Sequence, residues 1–319
     1  MLKSLVAAGF AVSALSLGAA HAGAAAKVED MKGAQLIEYA AQPYIQFRED
    51  IDHVSTKMPA SEAEMRDAYF RLASHDNRTM AASWIAYAAM IAADSPEFAS
   101  AIEAKMKKRR DAEAFAAEIE ANPVIVRNMA GSEAAVAAIM AFATNDAAKI
   151  RKAGDQFIAE AYAMQNVAWA KREIALAGMD RVDAAMQFAA KRKWADYDRE
   201  VVVSRKGTAR PNLVNLASWS KDWGDETAVN PAARPSTIVT KALVLGARYV
   251  MNDAEQRHLA SFGTSKKSER CFTNAQMNLD QCIAATRTPY EEAFCLGQHA
   301  LNDMSSCVGW PAAAGASGA

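Results

Sequence analysis

The sequence predicts an all-α protein: a multi-helix bundle that ends in a disulfide-stapled helical hairpin. Three observations carry that expectation. β-branched runs are nearly missing, and Val201-Val202-Val203 is the one strand-like stretch. Apolar residues recur at spacings of three and four, with helix-start and helix-stop residues between the runs. All four cysteines, Cys271, Cys282, Cys295 and Cys307, cluster near the C-terminus.

Residues 1–22 read as a secretory signal peptide. Lys3 is their only charge, Leu5 to Leu17 is a short apolar core, and Ala20-His21-Ala22 is an A-x-A cleavage site. The apolar run is shorter than the ~20 residues that span a bilayer. No membrane span is expected in the rest of the chain. The uncharged run Met80 to Ala93 has 14 residues and reads as a buried helix. Removal of Lys3 turns 36 basic residues into 35 against 37 acidic ones, a formal net charge of −2. That balance argues against nucleic acid as a partner.

Residues 23–203 are expected to form a helical body. Ile37 to Ser55 reads as a helix interrupted at Pro43, and Ser61-x-x-Glu64 as a capping box opening a helix to about Ser74. The alanine-rich stretch Thr79 to Ala93 calls for close helix packing. Ser95-Pro96 opens a helix to about Ala121. It contains the basic cluster Lys105, Lys107, Lys108, Arg109 and Arg110, read as a solvated face because Asp111 and Glu113 follow. A buried helix is expected over 134–144, and Asn145 or Asp146 then reads as the start of a longer one ended by Gly178. Its apolar stripe is Phe157, Ala161, Met164 and Ala168, widened by Ile158, Tyr162 and Trp169. Asp180 opens a further helix carrying Val182, Met186, Ala190 and Trp194.

Residues 204–235 break the pattern with three prolines and two glycines, and leave room for one short helix from Leu213 to Trp223. Long irregular segments tend to be functional or linking. Trp219, Trp223 and Arg210 therefore make this segment the candidate binding surface. The competing reading is a strap whose tryptophans pack on the body.

Residues 236–308 complete the bundle and hold the hairpin. Ser236 and Asp253 open two helices, the second ended by Gly263. Cys271 to Ala285 lacks Gly and Pro and reads as helix. Thr288-Pro289-Tyr290-Glu291 starts the returning helix, which is expected to end near Asp303. In an antiparallel pair facing residues share a nearly constant index sum. That sum is 577 for Cys282 with Cys295 and 578 for Cys271 with Cys307. Sequential pairing fails, because residues eleven apart on a helix lie roughly 16 Å apart and a disulfide needs Cα atoms within roughly 7 Å. The expected bonds are Cys271–Cys307 and Cys282–Cys295, covering Phe272, Phe294 and Leu301. Residues 309–319 read as a disordered tail.

Catalytic signatures are sparse. Glu255-x-x-His258 is half of a di-metal carboxylate motif, and Asp50-x-x-His53 is the nearest second half. Glu255, His258 and His53 are thus the metal candidates, against an exposed polar face as the plainer reading. His299 falls opposite Asn278, where a structural hydrogen bond is expected. There is no C-x-x-C, P-loop or dinucleotide fingerprint, and no cofactor is expected. The function expected is an exported binding or structural protein of the cell envelope, most simply of a bacterial periplasm. Its partner would be a protein or envelope component. The alternatives are a metal-dependent helical-bundle enzyme and an envelope-polymer hydrolase.

Overall fold

A computed structural model describes residues 31–191 and 236–316, and the described chain is all-α. The signal-peptide reading at 1–22, the segment 204–235 and residues 317–319 lie outside the described residues.

The first helix, α1, spans Gly33–Thr56 and passes through Pro43 without a break. Proline there removes the bond to the carbonyl of Tyr39, a residue on the exposed side of the helix. The next helix, α2, covers Glu62–Ala73, and Ser61 caps it by accepting from the Glu64 N–H. The Glu64 carboxylate goes one residue further back than a capping box requires and takes the Ala60 N–H at 2.7 Å.

Helix α3, Asn77–Ala93, is the centre of the bundle. Met80, Ala81, Trp84, Ile85, Ala86 and Tyr87 are buried. It is flanked by α1, by α6 (Ser132–Met164), by α8 (Thr237–Met251) and by α10 (Lys266–Ala285). The small residues serve the close packing that the sequence calls for. A Cβ on Gly246 of α8 would lie 2.8 Å from the Ala89 carbonyl of α3.

The expected helix from Pro96 to Ala121 is two helices, α4 (Pro96–Lys105) and α5 (Arg109–Ala121). The break falls inside the basic cluster, whose side chains are exposed. Within α5 Arg109 pairs with Glu113 one turn on. A 3-10 turn, Pro123–Asn128, leads to α6.

The 33-residue α6 merges two expected helices. Asn145 and Asp146 do not start a helix; both are buried in the middle of this one. Helix α6 also ends earlier than the Gly178 stop implies. After Met164 the chain turns through a 3-10 segment, Trp169–Lys171, and Ile174 donates to the Arg287 carbonyl at the hairpin turn. Phe157, Ala161 and Met164 are buried as the stripe requires, whereas Ala168 is exposed beyond the helix end. Helix α7, Met179–Lys191, buries Val182 but leaves Met186 56% exposed.

After α8 come α9 (Gln256–Phe262), α10, and a returning helix. The return runs unbroken as α11 (Pro289–Cys295), a π-helical segment Leu296–Asp303, and α12 (Met304–Ala316). Cys307 therefore sits inside the helix, not beyond its end. Residues 309–316, read as tail, continue it. The reason is packing: α12 lies along α6, and Val308 is fully buried. Both nested disulfides are present, with Cα atoms 5.6 Å apart in Cys271–Cys307 and 5.7 Å apart in Cys282–Cys295. No helix among the described residues is long and apolar enough to cross a membrane.

Candidate binding groove at the hairpin turn

The end of α6 meets the closed end of the hairpin, and a groove of about 280 Å³ opens between them. The last turn of α6 supplies Tyr162 and Gln165, and α11 supplies Tyr290, Glu291 and Phe294. The inner disulfide, Cys282–Cys295, forms part of the wall. Local sequence explains why the wall holds its shape. Pro289 sits at the first position of α11. Glu291 Oε2 accepts from the Arg287 N–H at 2.7 Å and the Thr288 N–H at 3.0 Å. The Thr286 hydroxyl donates to the Ile283 carbonyl at 2.8 Å, closing the end of α10.

Two aromatic rings stand in the open. Tyr162 is 59% exposed and Phe294 37% exposed. Their centroids are 6.3 Å apart with planes at 75°, an edge-to-face pair. Both differ from the sequence expectation, which puts Tyr162 on the core stripe and Phe294 under the hairpin's cover. The helical period accounts for Tyr162: at about 100° per residue it lies roughly 140° around the helix from buried Phe157. For Phe294 the sequence holds a weaker signal. Tyr290 and Phe294 are four apart and share a face of α11, while Cys295 points inward.

The metal candidates are not brought together. His258 Nδ1 accepts from the Glu255 N–H at 3.0 Å, so the proton is assigned to Nε2, which donates to Glu120 Oε1 at 3.1 Å. One ring nitrogen thus caps the start of α9 and the other ties α9 to α5. His53 is in the last turn of α1 and contacts Asp67 at 3.2 Å. The first residue of α1, Gly33, donates to the Ala254 carbonyl beside α9. The two histidines therefore lie toward opposite ends of a 24-residue helix about 36 Å long. Among the described residues no three His, Cys, Asp or Glu side chains are grouped to hold a metal ion. His299 Nδ1 lies 2.9 Å from Asp303 Oδ2, which also accepts from Asn278 at 3.0 Å. The expected pairing across the hairpin exists, with Asp303 as its bridge. Trp219, Trp223 and Arg210 lie outside the described residues.

The strongest buried electrostatics are elsewhere. Tyr44 donates to Asp146 Oδ2 at 2.8 Å, and Arg48 Nε approaches the same oxygen at 3.0 Å. Arg48 also bonds the Tyr87 hydroxyl. Burial, followed by the Asp146 charge, pushes the Tyr44 phenol well above its ordinary range. Burial also raises the Asp146 carboxyl, opposed chiefly by Arg48. A second pair, Arg181 with Glu292, is bidentate at 2.5 and 3.0 Å, with the guanidinium 4.5 Å from the Tyr69 ring centroid. Burial raises the Glu292 carboxyl and Arg181 opposes it. These groups are sealed from solvent and face each other, an arrangement that fixes helices rather than receiving a ligand.

Comparison with protein-family models, curated proteins and solved structures finds no match.

Proposed function

We propose that this is an exported binding protein of the cell envelope, with its ligand site in the hairpin groove. The observation that carries the reading is the exposed edge-to-face pair of Tyr162 and Phe294 over a groove walled by a disulfide. Exposed aromatic rings on a rigid wall present contact area with little side-chain entropy to lose. The volume is just below that of drug-sized pockets and suits a small ligand or one protruding group of a larger partner. Export draws support from the leader-like residues 1–22 and from two disulfides, which persist in oxidising compartments.

The enzyme readings find less support. A metal-dependent bundle needs ligands converging from several helices, and Glu255, His258 and His53 do not converge. A polymer hydrolase needs a carboxyl with a raised pKa facing a cleft. Asp146, Glu292 and Asp253 have raised values but face Arg48, Arg181 and Arg248, and Asp280, raised by burial, accepts from Gln276 of its own helix at 2.8 Å.

The groove is tested by titrating the full chain with 3,3-dimethylbutan-1-ol, a compact neutral probe, and following aromatic NMR signals. Saturable shifts centred on Tyr162, Tyr290 and Phe294 are expected. Shifts scattered over the surface without saturation would sink the reading. N-terminal sequencing of periplasmic protein should begin near Gly23, and soluble cytoplasmic protein retaining Met1 would overturn export.

A further inference from the structure

The groove's lining points to a narrower ligand class, an inference that rests on the groove being a ligand site. We propose that it binds an organic ammonium cation, a quaternary or alkylated ammonium head, caged by Tyr162, Tyr290 and Phe294 with Glu291 at the rim.

Three features support this. The first is ring placement. Tyr290 and Phe294 are one turn apart on α11, and Tyr162 stands across from them at the end of α6. Walls at 75° to one another present ring faces from two directions. An alkylated ammonium is attracted to the negative face of each ring, and its methyl groups also gain apolar contact.

The second feature is charge. Among the described residues that line the groove Glu291 alone is charged, and it is acidic. Its carboxylate is held in place by the Arg287 and Thr288 amides. A cation entering the groove meets a fixed negative group and no like charge from the lining.

The third feature concerns the opposite ligand. An anion approaching the start of α11 would face the fixed Glu291 carboxylate, and Pro289 at the first helical position has no N–H to offer it. The described lining offers no Lys or Arg. Anionic ligands are therefore disfavoured, and neutral apolar ones are the remaining competitor.

Three probes of nearly equal shape separate these cases: choline, 3,3-dimethylbutan-1-ol and 3,3-dimethylbutanoate, carrying a positive, zero and negative charge. Isothermal titration calorimetry on the full, oxidised chain should rank them in that order. Choline should bind about tenfold more tightly than the neutral probe, within the range of a desolvated cation–π contact. Phe294→Leu and Tyr162→Leu keep apolar bulk and lose a ring. Each should weaken choline about tenfold while changing the neutral probe by no more than about threefold. Glu291→Gln should weaken choline and spare the neutral probe. The two rings are exposed, so unchanged melting temperatures should accompany their loss. Equal binding of choline and the alcohol, or tightest binding of the carboxylate, overturns the ammonium assignment and leaves an apolar groove. Absence of binding by all three overturns the groove reading itself.

Discussion

The bundle centre and the C-terminal hairpin solve the same problem, fixing the register of neighbouring helices, by opposite means. In the centre, α1, α3 and α6 are tied by Tyr44, Arg48, Tyr87 and Asp146, all inaccessible to solvent. Those bonds are directional, so the helices cannot slide without stranding a buried charge. Among the described residues the polar bonds across the hairpin, Asn278 and His299 to Asp303, lie toward solvent, and the hairpin carries two disulfides. Enclosure makes the difference. A helix packed on every side can shelter polar bonds from water. A hairpin laid along α6 keeps one side open, so covalent bonds hold it there. The open side is then available for the exposed rings of Tyr162 and Phe294.

The largest effect should come from breaking the central cluster. Asp146→Ala leaves Arg48 buried without its carboxylate and should cost about 3–5 kcal/mol in urea unfolding. Replacing the pair together, Arg48→Met with Asp146→Leu, should recover much of that loss. A single-variant cost below about 1 kcal/mol would show that apolar packing alone sets the register.

Next come the staples. Replacing Cys271 and Cys307 by alanine opens a loop of 36 residues, worth about 4 kcal/mol on the chain-entropy model. Replacing Cys282 and Cys295 opens one of 13 residues, worth about 3 kcal/mol. The outer pair should therefore lower the melting temperature more. The reverse order would mean that the inner bond contributes through the groove wall rather than through loop closure.

A smaller effect is expected where the two regions touch. Gly154 of α6 crosses the π-helical segment at Gly297, and an added Cβ on Gly154 would lie 2.8 Å from the Gly297 carbonyl. It would also meet Asn302 Oδ1, whose place against the glycine explains why this buried acceptor has no hydrogen bond. Gly154→Ala should cost about 1–3 kcal/mol by overpacking. Asn302→Ala should not rescue it, because the backbone clash with Gly297 remains. Full rescue would place the strain on the side chain alone.

The smallest effect is a pH dependence at the edge of the bundle. Glu120 has a lowered carboxyl pKa, first through its hydrogen bond with His258 and then through Arg257 and Arg248. A folded value below the unfolded one means the ionised form stabilises the fold. That contribution is present above the ordinary value of 4.5 and disappears as pH falls through the lowered folded value. Protection factors of the α5 amides, which are exchange rates corrected for the intrinsic slowing in acid, should fall on acidification across that window, and Glu120→Gln should remove the dependence. A Glu120→Gln variant with the same acid response would assign it to another carboxyl.

The hairpin was largely legible in the sequence. Its breaks, its proline start and the index sums of its cysteines are short-range facts, and helix geometry converts them into positions. Most helix starts and stops were legible for the same reason: caps act within one turn. The misread features depend on distant partners. Asn145-Asp146 has the composition of a helix start, but Asp146 is met by Tyr44 from 102 residues away. The chain past Cys307 has a tail's composition, yet α6 gives it a surface to pack on. The groove belongs to this second group. Tyr162 and Phe294 are 132 residues apart, and neither one's neighbours in sequence reveal that they meet. The sequence by itself determined the helical class, the hairpin and its pairing, since these follow from periodicity and local capping. Only the tertiary structure decided which polar residues are sealed inside and which aromatic rings remain in water. Those outcomes depend on which helix faces are covered, and coverage belongs to the whole fold.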